Sequence, residues 1–269
     1  MRTVRFIGPG RAGRSLAAAL AAAGWAVDGM LGRGDDLSGA AQGVDVLVIS
    51  TPDDAVVEVA AAVRACASTV VLHLSGSLGL SALASHDRRA ALHPLVPLPN
   101  PEIGAARLAS GVTFAVAGDP VARQMAEALG GRVVEVDDAD RARYHAAACM
   151  AANHVVALLG QVERVAGSIG LDLATFVGLT RAAVDDVDRL GPAAALTGPA
   201  ARGDWTTLAR HRDALDPDER PGYNAGVRLA VRLATDPRPA RPPARDGRRT
   251  ASGAPERDAL VAPLDARAV

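Results

Sequence analysis

Short apolar runs rich in β-branched residues alternate with helical patterns over the first half of the chain. "VRFI" (residues 4–7), "WAVDGML" (25–31), "VDVLVIS" (44–50), "TVVLHLS" (69–75), "RAALHPL" (89–95), "GVTFAVAG" (111–118) and "RVVEV" (132–136) read as strands. Several are apolar on both faces, as strands of a covered parallel sheet are. Helical patterns fill the intervals at residues 12–23, 53–65 and 120–129, so residues 1–137 predict a doubly wound parallel α/β sheet. From Asp138 onward the pattern is helical only. "DDADRARYHAAACMAANHVVALLGQVERVAG" spans one helix of about 30 residues, roughly 45 Å at 1.5 Å per residue. Further helices are expected at residues 172–190, around 204–215 and at 220–234, giving an all-helical second domain over 138–235. The remainder, residues 236–269, mixes Pro, Arg, Gly and Ala without apolar periodicity and is expected to be a disordered tail.

The first strand runs directly into "GPGRAG", Gly8 to Gly13. Alone, Gly-x-Gly-x-x-Gly is a weak signal in a chain with 27 glycines, but strand, turn and helix here follow in the order a dinucleotide site requires. Gly8 permits the tight turn, Gly10 lets backbone approach a pyrophosphate, and Gly13 lets the helix pack on the strand. The free N–H groups of the first helical turn, around Arg11 and Ala12, then face the phosphates. An ordinary glycine-rich turn that binds nothing is the alternative.

Bulk properties narrow the classes. A net charge of −1 gives no support for a nucleic-acid or acidic-membrane partner. Cys66 and Cys149 lie in apolar contexts without metal-ligand spacing, which favours free thiols in a reducing cytoplasm, with no metal. No signal-peptide core is visible, and no stretch is expected to span a membrane. The chain contains no lysine, so all 29 basic residues are arginine, and no lysine-based mechanism is open to it.

Counting about 20 residues on from Gly13 reaches Arg33 in "MLGRGDD", where NAD sites place an acid. Arg33, helped by Arg11, would pair with a 2′-phosphate, so NADP (NADPH) is the expected cofactor. The alternative is that Asp35 takes the ribose and Arg33 is a solvated loop charge. Ligands of such sheets sit at the carboxyl ends of the strands. There, Thr51 and Pro52 are expected beside the cofactor, with Asp53 either near it or an N-cap. Ser75 is a candidate for a substrate carboxylate or carbonyl, with Gly76 allowing close approach, though an empty Ser-Gly turn reads equally well. His93 is a candidate acid or hydrogen-bond donor, or a structural histidine.

The early glycine fingerprint, "STPDD", "LHPL", "YHAAACMAAN" (144–153) and above all "ALTGPAARGD" (195–204) resemble the 6-phosphogluconate-dehydrogenase-like superfamily over residues 1–235. Within it, the chain looks like the Rossmann-like family whose second half is a domain of unknown function, beside ketopantoate, prephenate and pyrroline-carboxylate oxidoreductases. The resemblance implies a cofactor cleft but names no substrate. Related reductases carry Lys-x-x-x-Asn on the long helix. Asn153 matches the asparagine, whereas Cys149 stands where the lysine would be. The proton-donor role would then pass to His145, with Asn153 orienting, or else to His93, Tyr144 or water. At 100° per residue, His145 and Asn153 fall about 80° apart, within reach of one cleft; a packing role for His145 is the alternative. In "LTGPAARGD", Arg202 is the expected carboxylate anchor, with Thr197 beside it and Asp204 capping the next helix or fixing Arg202. Taken together, these features predict an NADPH-dependent reductase of a small 2-oxo or imino acid, ketopantoate being one possibility, acting as a homodimer. The missing lysine keeps open the alternative of an NADP-binding protein without turnover.

Overall fold

The computed structural model describes residues 1–236, so the expected tail lies, Asp236 apart, outside the described residues. The chain forms two compact units, residues 1–154 and from Val155 on.

In the first unit, β1 (Thr3–Ile7), α1 (Arg11–Ala22), β2 (Ala26–Leu31), β3 (Val46–Ile49), α2 (Val56–Ala62), β4 (Val70–His73), β5 (Arg89–Pro94), α3 (Pro101–Leu108), β6 (Thr113–Gly118), α4 (Val121–Ala128) and β7 (Arg132–Glu135) follow in order. They build a seven-stranded sheet ordered β2-β1-β3-β4-β5-β6-β7. Side-chain alternation along the central strands divides the apolar residues between two layers. Val46 and Val48 join Phe6, Leu16, Leu20, Leu72 and Phe114 on one face. Leu47 and Ile49 join Val56, Val71 and Leu83 on the other. This two-sided burial is why the strand sequences show no polar face.

Two details of this sheet are not visible in the sequence pattern. The sheet is not wholly parallel, because β5 and β6 run antiparallel while the remaining pairs are parallel. After β5 the chain lays α3 against α1 and returns alongside β5, so no crossover connects the two strands. Helix α3 itself was not expected, although its signals are local. Asn100 accepts from the Ile103 N–H at 2.8 Å as N-cap, and Pro101 occupies the first turn.

After β7, a short 3₁₀ turn at Asp138–Asp140 leads into α5 (Arg141–Cys149), a π-helical turn at Met150–His154, and α6 (Val155–Gly167). Within the helical run Asp138–Gly167, an 18-residue window reaches a mean hydropathy of 1.2, enough by length and composition alone to cross a bilayer, which the sequence reading does not expect. The run as a whole carries charges at both ends, with Asn153 and His154 in its middle.

The second unit continues with α7 (Ala174–Leu190), α8 (Pro192–Ala195), α9 (Pro199–Arg202), α10 (Trp205–Ala214) and α11 (Arg220–Thr235). Gln161 donates to the Glu219 carbonyl at 2.7 Å, and Arg164 pairs with the Glu219 carboxylate, fixing α6 against the start of α11. Val156, Leu158, Ile169, Leu179, Val184 and Leu229 are all exposed.

Candidate active site

The glycine turn is sterically enforced. Gly8 takes φ +103°, and a Cβ there would lie 2.8 Å from the Ser50 carbonyl carbon. At Gly13 a Cβ would meet Ser50 Oγ at 2.3 Å and the Gly8 carbonyl oxygen at 2.5 Å, so α1 can rest on the loop after β3 only without a side chain. Gly10 differs: nothing stands within 4 Å of its Cβ position, which leaves its outer side open to a ligand. Gly10 is also the N-cap of α1, with no side chain capping the first turn and no acid in it. Those N–H groups are available to an anion. Beside them, Thr51 Oγ1 is buried without a hydrogen-bond partner, while Pro52 is exposed. These features fit a dinucleotide pyrophosphate.

After β2, Asp35 accepts from the Gly32 N–H at 2.6 Å, so its carboxylate is engaged in closing the loop. Arg33 and Arg11 are exposed, and neither forms an ion pair among the described residues.

A second focus lies at the carboxyl ends of β4 and β5, where side chains of α5 reach them. Asp138 Oδ2 accepts from the Leu80 N–H at 2.9 Å and so fixes the start of this segment to the loop after β4. One turn into α5, Tyr144 reaches back to β5, its hydroxyl 2.7 Å from His93 Nδ1. The neighbouring His145 turns toward Gly76, with its ring centroid 5.8 Å from that of His93. At Gly76 a Cβ would stand 2.5 Å from His145 Nδ1 and 2.8 Å from His93 Nε2. Two imidazole nitrogens from different elements therefore converge on one notch that exists because residue 76 has no side chain. His145 Nδ1 has no hydrogen-bond partner, and its Nε2 lies 3.5 Å from the Cys149 thiol.

The electrostatics hold both His93 and Tyr144 neutral. Burial, with His145 and Arg141 adding to it, pushes the His93 imidazole down to about 4. Burial pushes the Tyr144 phenol up to about 12 against the opposing pull of Arg141. In the tautomer in which the phenol donates to Nδ1, the His93 hydrogen sits on Nε2, facing the notch.

The other candidates are engaged locally or exposed. Ser75 donates to Asp53 Oδ2 at 2.7 Å and accepts from the Leu78 N–H at 3.0 Å, so its hydroxyl is occupied in bracing the loop. Asp53 is not the N-cap of the following helical turn, a place taken by Pro52. Its carboxylate also accepts from Ser77 Oγ at 2.6 Å. Asn153 is exposed within the π turn, where the 100° step used to place it against His145 does not apply. In the second unit, Thr197 and Arg202 are exposed around the short α9, and Asp204 caps α10 by accepting from the Thr207 N–H at 3.1 Å. Sequence reasoning missed one residue altogether: Arg141, 1 % exposed, with none of its three guanidinium nitrogens hydrogen-bonded.

The mostly parallel sheet with a glycine-rich β1–α1 turn, followed by a helical unit, defines a Rossmann-type protein. Residues 110–229 match the family model of a domain of unknown function, DUF2520. No curated protein matches the chain by sequence. Among solved structures, the fold is shared with a Bacteroides fragilis protein provisionally assigned as an NADP oxidoreductase. That match has a TM-score of 0.74 at 18 % identity and covers 86 % of this chain and 98 % of the other. It is also shared with Plasmodium falciparum pyrroline carboxylate reductase with NADP bound, with a TM-score of 0.58 at 12 % identity, covering 87 % and 98 %. A reductive aminase from Aspergillus terreus in complex with NADPH4, cyclohexanone and allyl amine gives a TM-score of 0.62 at 17 % identity, covering 86 % and 94 %.

Proposed function

We propose that the protein is an NADPH-dependent reductase acting on the C=O or C=N group of a small 2-oxo or imino acid, ketopantoate among the candidates. The observation that carries this reading is the notch at Gly76, where His93 Nε2 and His145 Nδ1 converge at the carboxyl end of β4. The cofactor would be held by the backbone of Gly8, Gly10 and Gly13, the first turn of α1 including Ala12, and the loop at Thr51 and Pro52. Arg11 and Arg33 would bind the 2′-phosphate that separates NADP from NAD. Bound there, it would supply the hydride.

The chain's own residues supply the rest. A group gaining negative charge on its oxygen or nitrogen needs donors already aimed at it. Tyr144 fixes the His93 tautomer, and His93 Nε2–H donates into the notch without ionising. His145, unpartnered at Nδ1, is the residue in position to deliver the proton. An imidazole therefore takes the task that lysine, absent from this chain, performs in the reductases the sequence resembles. We also propose a homodimer, since the exposed apolar side chains of the second unit are of the kind a second copy would cover.

Comparing NADPH and NADH by fluorescence titration, then measuring turnover of His145→Gln and His93→Gln, tests the reading. A preference for NADPH with both variants slowed supports it; equal affinity for the two nucleotides, or unaltered turnover in both variants, refutes it. Tight NADPH binding without any turnover would instead favour a nucleotide-binding protein with no reaction.

A further inference from the structure

Arg141 opens α5 and carries a full positive charge into the first unit at 1 % exposure, with Nε and both terminal nitrogens unpartnered. A buried cation without a counter-charge is among the costliest arrangements a fold can hold, and buried polar groups elsewhere are almost always hydrogen-bonded. Asp138 lies near enough to favour the charged form, but no acid forms an ion pair with Arg141 among the described residues. Asp138 accepts from the Leu80 N–H, Asp53 accepts from the Ser75 and Ser77 hydroxyls, and neither forms an ion pair with Arg141. The other groups interacting with it are His73, His93 and Tyr144. His73 Nδ1 and His145 Nδ1 are also buried and unpartnered. The guanidinium N–H donors of Arg141 thus have nothing hydrogen-bonded to them.

We propose that Arg141 is an anion site, its planar guanidinium fork receiving the carboxylate of a small organic acid beside the Gly76 notch. This deepens the reductase reading, on which its catalytic meaning rests, by assigning the acid group of the substrate to Arg141. Exposed Arg202 needs no counter-ion when the site is empty, whereas buried Arg141 does. A carboxylate suits it better than a phosphate, since one guanidinium beside His73 and His93, both shifted toward the neutral form, balances one negative charge. Burial drives the Arg141 pKa down from its usual value, yet a guanidinium stays charged throughout the working pH range. A carboxylate would relieve that penalty.

The test is thermal unfolding without nucleotide, using oxamate as the carboxylate probe, on the wild type, Arg141→Met and Arg141→Lys. Arg141→Met removes the uncompensated charge while keeping an extended side chain. It should melt at a higher temperature than the wild type when no anion is present. Oxamate should raise the wild-type midpoint by several degrees and leave Arg141→Met unmoved. Arg141→Lys keeps the charge but loses the fork, so oxamate should bind it at least about tenfold more weakly. A lower melting temperature for Arg141→Met without anion, or an oxamate response that survives in either variant undiminished, overturns the proposal. If Arg141→Met does not fold, Arg141 is structural and the proposal falls. No step uses NADPH, so a failed nicotinamide-oxidation assay would refute the reductase reading and leave this result standing.

Discussion

Replacing Gly76 by alanine probes the notch with a single methyl group. The added Cβ would stand 2.5 Å from His145 Nδ1 and 2.8 Å from His93 Nε2, where about 3.4 Å is the shortest ordinary contact. His145 would have to retreat by about 0.9 Å and His93 by about 0.6 Å. The backbone at Gly76 is not in the left-handed region, so the perturbation is steric alone. Displacing reacting groups by about 1 Å costs on the order of a hundredfold in rate. Overpacking a filled site costs about 1–3 kcal/mol of stability. Gly76→Ala should therefore lower kcat by about a hundredfold while NADPH affinity, measured by fluorescence titration, stays within about twofold. Unfolding in urea should show the modest stability loss. Full turnover in a folded Gly76→Ala protein would refute the assignment of the notch, and so would loss of NADPH binding with kcat intact.

Tyr144→Phe removes the hydrogen bond to His93 Nδ1 and should cost about 1 kcal/mol in urea unfolding, with kcat falling further than KM rises; an unchanged kcat would separate Tyr144 from the reaction. His93 is held near 4 against an ordinary value of about 6.5, so the unfolded chain binds the extra proton and stability falls as pH drops through that window. The loss is at most about 3 kcal/mol, and His93→Gln should flatten this part of the urea-midpoint profile against pH. Arg33→Ala should reduce the preference for NADPH over NADH by about tenfold or more; a preference that survives would shift the 2′-phosphate contact elsewhere. Light scattering at micromolar protein should give twice the chain mass if the exposed apolar residues of the second unit meet a second copy, and Leu179→Glu should reduce it.

Much of the first unit is legible in the sequence because its determinants are local. Both faces of β3 are buried, so "VLVI" advertises a central strand, and the spacing of Gly8, Gly10 and Gly13 marks the turn whose steric reasons the coordinates supply. The antiparallel entry of β6 leaves no such trace, since strand direction depends on where α3 packs. The site divides the same way. His93, His145 and Gly76 are conspicuous as residue types at strand ends and on the helix that follows, but their meeting at one point is a tertiary fact. Arg141 is hidden in "DADRARYH", where every charge looks solvated, and only tertiary packing around α5 removes it from water. The engagement of Ser75 is equally non-local: its hydroxyl donates to Asp53, 22 residues earlier in the chain.

The central claim is that imidazoles at the Gly76 notch support reduction by NADPH. Nicotinamide absorbance followed with a panel of 2-oxo acids, ketopantoate included, and cyclic imino acids tests it most directly. The account predicts NADPH consumption with at least one member, slower with NADH, and slowed by about a hundredfold or more in His145→Gln. No consumption with any member by a protein that binds NADPH tightly, or undiminished consumption by His145→Gln, would contradict it.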